Sequence, residues 1–140
     1  MSIARPLPTV IGPTENALRA LLARILSTTR IKTYPAWVVL NAASAADAPP
    51  SGRDWKLAVA DALKVEVGEV DGLIAQLRAA GLVHVDGSLT ASGTGELAAG
   101  RAAVSAATSR LVDGVGEDEQ ATARRVLDHI RRKADELLRL

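Results

Sequence analysis

The sequence predicts an almost entirely α-helical fold that carries one small β-hairpin, and three observations predict it. Apolar residues recur at helical spacing along most of the 140-residue chain. Aromatics are limited to Tyr34, Trp37 and Trp55, whereas Ala fills 26 positions and Leu 18. A core of small and branched aliphatics suits close-packed helices better than strands rich in aromatics. The third observation is local: Leu82-Val83-His84-Val85 and Ser88-Leu89-Thr90 flank the pair Asp86-Gly87, and Asp-Gly favours the tight turn that matches strand twist.

The first helix is expected to open at Pro13-Thr14-Glu15 and run to about Leu26, with Leu18, Leu21, Leu22 and Ile25 as its apolar stripe. Thr28, Thr29 and Thr33-Tyr34-Pro35 interrupt it. Pro35 suits the first turn of a second helix, whose buried face would be Trp37, Leu40 and Val38. The alanine-rich run from Ala42 to Ala48 extends that helix without a large apolar anchor, and Pro49-Pro50-Ser51-Gly52 reads as a loop. Asp54 is read as the N-cap of a third helix carrying Leu57, Ala58 and Leu63. A turn around Val65–Val67 leads to a fourth helix marked by Val70, Leu73, Ile74 and Leu77 and closed by Gly81.

Beyond the hairpin, Leu97, Val104 and Leu111 lie seven apart on a fifth helix, which Gly114 and Gly116 stop. The acidic run Glu117-Asp118-Glu119 opens a sixth, since carboxylates favour the positive end of a helix dipole. Its stripe of Ala123, Leu127, Ile130, Ala134 and Leu137 has the alternating four-and-three spacing of a coiled-coil seam. No repeat of 20–50 residues is visible.

Composition removes several function classes. The length suits a single domain with a real core. Zero cysteine excludes a disulfide framework, a thiolate zinc site, an iron–sulfur cluster and a thiol nucleophile. A net charge of +1 excludes a strongly basic nucleic-acid arm, though not a local patch. No stretch approaches the roughly 18–20 apolar residues of a membrane span, and MSIARPLPTVIGP lacks a secretory layout. A cytoplasmic protein is the expectation.

The middle of the chain, two short helices followed by a hairpin, has the layout of a winged helix-turn-helix. Residues 35–93 are therefore expected to form that lobe, and residues 1–34 with 94–140 a helical dimerisation region. The apolar seams of the outer helices exceed what so small a lobe can cover, so a homodimer is expected.

Particular residues also carry a family resemblance. Leu73-Ile74-Ala75-Gln76-Leu77-Arg78-Ala79-Ala80-Gly81-Leu82-Val83 resembles the segment of MarR-type winged-helix regulators that closes the recognition helix and enters the wing. Leu89-Thr90-Ala91-Ser92-Gly93 is similar to that family's passage from wing to long helix, and Gly116-Glu117-Asp118-Glu119 to the start of its last helix. The resemblance spans roughly residues 14–139 with the spacing between segments kept. It implies a dimeric transcriptional regulator on duplex DNA, released by a small ligand, with the helix from about Gly68 to Ala80 in the major groove.

On that reading Lys56, Lys64, Gly68, Glu69, Asp71, Gln76 and Arg78 are the DNA-binding candidates. Tyr34 and Trp37 fall where the resemblance places the wall of a ligand crevice. Two departures support a second reading. The wing tip Val85-Asp86-Gly87-Ser88 holds no arginine, and Val67-Gly68-Glu69-Val70-Asp71-Gly72 puts two carboxylates and two glycines where the family usually presents Ser, Thr, Asn or Arg. Residues 54–93 carry six acidic and three basic groups, whereas residues 1–53 carry two and six. Duplex binding draws much of its affinity from neutralised phosphates, although a carboxylate can accept a hydrogen bond from cytosine. The second reading is a MarR-like scaffold that has lost DNA binding and serves as a small-molecule-binding protein or an enzyme.

Other groups read as structural. His84 and His129 lie in different segments, so no metal site and no cofactor is expected. Gly93-Thr94-Gly95 lacks the lysine and spacing of a phosphate loop and reads as a helix start. Arg131-Arg132-Lys133 is balanced by Asp128, Asp135 and Glu136 on a solvated face. No catalytic set assembles.

Overall fold

The computed structural model describes residues 4–45 and 54–140, the side chain of Asp54 excepted. The loop expected at 49–52, the end of the alanine-rich run and the capping role of Asp54 fall outside the described residues. Among the described residues six helices follow one another: α1 Leu7–Leu26, α2 Tyr34–Ala45, α3 Asp54–Leu63, α4 Val67–Ala79, α5 Ala91–Leu111 and α6 Glu117–Leu138.

α1 starts earlier than its sequence pattern suggested, and Pro13 lies inside it. Pro6 stands at the N-cap and Pro8 in the first turn, where a missing N–H costs nothing. Pro13 removes one hydrogen bond, while the hydroxyls of Thr9 and Thr14 donate to the carbonyls of Pro6 (2.6 Å) and Val10 (2.7 Å) in the turns around it. Thr33 caps α2: its Oγ1 accepts from the Ala36 N–H at 3.3 Å and its carbonyl from the Trp37 N–H at 3.0 Å.

The chain divides into two compact units, Met1–Ser105 and Ala106–Leu140. In the first, α2, α3 and α4 pack on one another and α1 packs on α2. Leu26, Val39, Leu40, Val70 and Leu82 are the fully buried side chains at its centre. Burial of each such aliphatic stabilises the fold by roughly 1.5–3 kcal/mol. On α3 the inward residues are Val59 and Ala60, with Leu63 half-buried, whereas Leu57 and Ala58, expected to be inward, are exposed.

Helices α3 and α4 end alike. At the end of α3 the Val65 N–H donates to the Ala60 carbonyl (3.0 Å) and the Lys64 N–H to that of Asp61 (3.1 Å). At the end of α4 the Leu82 N–H donates to the Leu77 carbonyl (3.0 Å) and the Gly81 N–H to that of Arg78 (2.9 Å). Both are Schellman closures, which need a left-handed residue just past the helix. Gly81 supplies it at φ +79°, and Lys64 does so at φ +56° despite its side chain. The Arg30 guanidinium also donates to the Ala80 carbonyl, and the Arg30 N–H donates to Glu96 Oε2 at 3.0 Å.

The expected hairpin is reduced to an isolated antiparallel bridge between Val83 and Leu89, and no strand forms among the described residues. Its turn also differs from expectation. The Gly87 N–H donates to the His84 carbonyl (3.0 Å) and the His84 N–H to that of Ser88 (2.8 Å). The loop therefore holds three residues, Val85, Asp86 and Gly87, with Gly87 at φ +88° in the left-handed place. Trp55 lies against Gly87, where an added Cβ would be 3.0 Å from the indole. α5 then begins with Thr90 accepting from the Gly93 N–H at 2.9 Å. Gly93 is obligatory there, because a Cβ would land on the Leu82 carbonyl oxygen.

In the second unit the Gly116 N–H donates to Glu119 Oε1 at 3.1 Å as α6 begins. No residue of α6 is buried. Leu127 and Leu137 of its apolar seam are 47% and 68% exposed and Ile130 is half-buried, so that seam is largely uncovered.

Candidate nucleic-acid interface and adjoining cleft

Val70, Ile74 and Leu77 turn one face of α4 into the core. Helical geometry then assigns the rest of its surface. Gly68, Gly72, Ala75 and Ala79 form an exposed crest of small residues, although Ala80 beyond it is half-buried. Glu69 and Gln76 flank the crest on one side, Asp71 and Arg78 on the other, all exposed. A Cβ added at Gly68 or Gly72 would meet nothing within 4 Å, so neither glycine is needed for packing within the chain.

Carboxylates hold both lysines of this lobe. Lys56 Nζ lies 3.2 Å from Asp71 Oδ1, joining α3 to α4, and Lys64 Nζ lies 3.0 Å from Asp61 Oδ1. No ion pair to Arg78 forms among the described residues. The seven DNA-binding candidates thus separate into a crest residue (Gly68), a flank with Lys56, Asp71 and Arg78, and a second flank with Lys64, Glu69 and Gln76.

The second flank borders a cleft of about 490 Å³. α1 contributes Arg19, α2 contributes Tyr34 and Pro35, and the end of α3 with its turn contributes Leu63, Lys64 and Val65. Glu69, Gly72, Leu73 and Gln76 of α4 complete it. The Arg19 guanidinium carbon stands 4.8 Å from the Tyr34 ring centroid, and its Nε donates to Glu15 Oε1 at 2.8 Å. An aromatic face, two side-chain cations, the Glu69 carboxylate and an amide around partly apolar walls can hold a small molecule. Tyr34 lines this cleft. Trp37 does not: its ring lies against Gly100 of α5. Sequence reasoning missed Arg19, because it meets Tyr34 through the packing of α1 on α2 and no local spacing announces that.

At the turn, Asp86 accepts from both the Ser88 hydroxyl (2.6 Å) and the Ser88 N–H (2.9 Å). These bonds, the hydroxyl's foremost, with a smaller contribution from His84 nearby, hold its carboxyl below the usual aspartate range. No group of three His, Cys, Asp or Glu among the described residues is placed to hold a metal ion. No helix among them is long and apolar enough to cross a membrane.

No protein-family model matches the sequence, and no curated protein matches it significantly. Solved structures do match. The transcriptional regulator PA3341 is similar to 94% of this chain over 99% of its own, with TM-score 0.75 and 25% identity. The MarR family protein Rv2887 of Mycobacterium tuberculosis, in complex with DNA, matches 91% of this chain over 98% of its own, with TM-score 0.70 and 22% identity. The same protein in complex with salicylic acid matches 90% over 98%, with TM-score 0.66 and 23% identity. The chain has a MarR-type fold. In this MarR-type fold, α3 and α4 are the helix pair joined by the Lys64 turn, and the cleft lies between that pair and α1–α2.

Proposed function

We propose that this chain is a MarR-like transcriptional regulator that binds duplex DNA as a homodimer and is released by a small ligand. The observation that carries the proposal is the match to a MarR family protein in complex with DNA, over a helix α4 whose outer face is left open. On this reading residues 35–93 are the DNA-binding lobe, with α4 in the major groove and the bridge-closed ribbon 83–89 as the wing. Residues 1–34 and 94–140 form the dimerisation region, which the uncovered seam of α6 supports. Lys56, Lys64 and Arg78 meet phosphates, Asp71 stands beside Lys56 on the same flank, and Gly68, Glu69 and Gln76 lie at base edges. Tyr34 contacts the ligand, and Trp37 fixes the helix that carries it. The protein acts in the cytoplasm.

The test is binding to random-sequence duplex and to selected genomic fragments across a salt series. Two or three phosphates neutralised per subunit give a logarithmic slope of about −4 to −5 for a dimer, at roughly −0.9 per phosphate. One observation favours a second reading, that of a MarR-like scaffold serving as a small-molecule-binding protein or enzyme: both lysines of the lobe are already held by carboxylates. If no duplex binds at low salt and selection enriches no site, that second reading replaces the first.

A further inference from the structure

We propose that Asp71 sets the affinity of this protein for DNA by competing with phosphate for Lys56, so that the carboxylate withholds that lysine from DNA. The inference rests on the DNA-binding reading above and adds to it a residue with a defined regulatory part.

The geometry points this way because the pair crosses from one helix to the other. Lys56 lies in the first turn of α3, and its ammonium reaches Asp71 on α4 at 3.2 Å. The lysine side chain is 31% exposed and the aspartate 57%. The carboxylate stands at the outer flank of α4, with the lysine side chain more covered beside it. A phosphate oxygen arriving on that flank meets Asp71 and competes with it for the same ammonium. While the pair holds, Lys56 is neutralised from within and releases no counterion from DNA. Arg78 lies two helical turns further along the same flank without an ion pair among the described residues, so it is the cation available there at once.

An exposed ion pair contributes little to stability, and for that reason the competition can go either way. Neutralising Asp71 removes the competitor and leaves the lysine in place. Asp113 supplies the control, since it carries the same charge at an exposed position just past α5, outside the DNA-binding lobe.

The experiment is a salt series of equilibrium binding to short random-sequence duplex for wild type, Asp71→Asn, Asp71→Ser, Lys56→Gln, Asp113→Asn and the Asp71→Asn/Lys56→Gln double variant. Both Asp71 variants should bind about three- to tenfold more tightly at low salt, and their logarithmic slopes should steepen by about 0.9 per subunit. The gain should vanish in the Lys56→Gln background, and Asp113→Asn should leave the slope unchanged. If the Asp71 gain persists without Lys56, or arrives with no change in slope, Asp71 acts only as a repulsive charge; the proposal falls and the DNA-binding reading stands. If no variant binds duplex, the DNA-binding reading falls and the proposal with it.

Discussion

The indole of Trp37 lies so close to Gly100 that a Cβ on that glycine would come within 2.7 Å of its ring carbon Cζ3. Here α2 and α5 meet through an absent side chain. Gly95, five residues earlier on the same helix, has nothing within 4 Å of its own missing Cβ. Alanine should therefore act oppositely at the two positions. Gly95→Ala should stabilise the protein by about 0.5–1 kcal/mol through helix propensity. Gly100→Ala should cost about 1–3 kcal/mol in overpacking, only partly offset by the same propensity gain. Urea denaturation of both variants gives the comparison. A Gly100→Ala/Trp37→Leu double variant should be less destabilised than the sum of its singles.

Lys64 holds a left-handed conformation that glycine adopts freely. Lys64→Ala keeps that backbone cost and loses the Asp61 pair, whereas Lys64→Gly loses the pair but relieves the backbone. The glycine variant should be the more stable of the two by about 1 kcal/mol. Equal denaturation midpoints would show that the turn tolerates a side chain without strain.

Asp86 should titrate below the ordinary aspartate value, because Ser88 stabilises its charged form. With the folded value depressed, its contribution to the turn is complete above the unfolded value of about 3.9 and is lost as pH falls through the folded one. Carbon-detected NMR of the Asp86 carboxyl measures this directly. Ser88→Ala should raise the titration toward the ordinary value, and an unmoved titration would contradict the assignment.

The uncovered seam of α6 predicts a self-associating protein. Ile130→Glu should give a monomer or an unfolded chain, because a carboxylate would be carried into an apolar interface at considerable cost. Sedimentation at micromolar concentration decides the point. A monomeric wild type would remove the premise.

Much of the helical order is legible in the sequence because the punctuation is physical. Gly81 closes α4 where a left-handed residue is required, and the acidic run opens α6. Pro13 misleads, since a proline costs a helix one hydrogen bond and this helix continues past that loss. Asp86-Gly87 marks a turn correctly, yet its size depends on the pairing of His84 with Ser88, which no dipeptide specifies. At the site, the outer face of α4 follows from its buried positions. The cleft does not follow, because Arg19 and Tyr34 meet only through packing between helices. Tyr34 and Trp37, three residues apart, end in different surroundings for the same reason.

Arg30 fastens one end of α4 only. Its guanidinium grips the Ala80 carbonyl while its own N–H is held by Glu96, so the C-terminal end is tied to two other segments. The opposite end has no side-chain cap at Glu66 and carries Gly68 and Gly72 in its first two turns, of which the interior Gly72 costs the helix roughly 1 kcal/mol relative to alanine. The first turn, ahead of buried Val70 and the Lys56–Asp71 pair, thus lacks a tie of the kind Arg30 supplies at the other end. Amide exchange along α4 would be slowest near Leu77 and fastest near Gly68, and whatever this helix meets with its leading end can reshape that end without loosening the anchor.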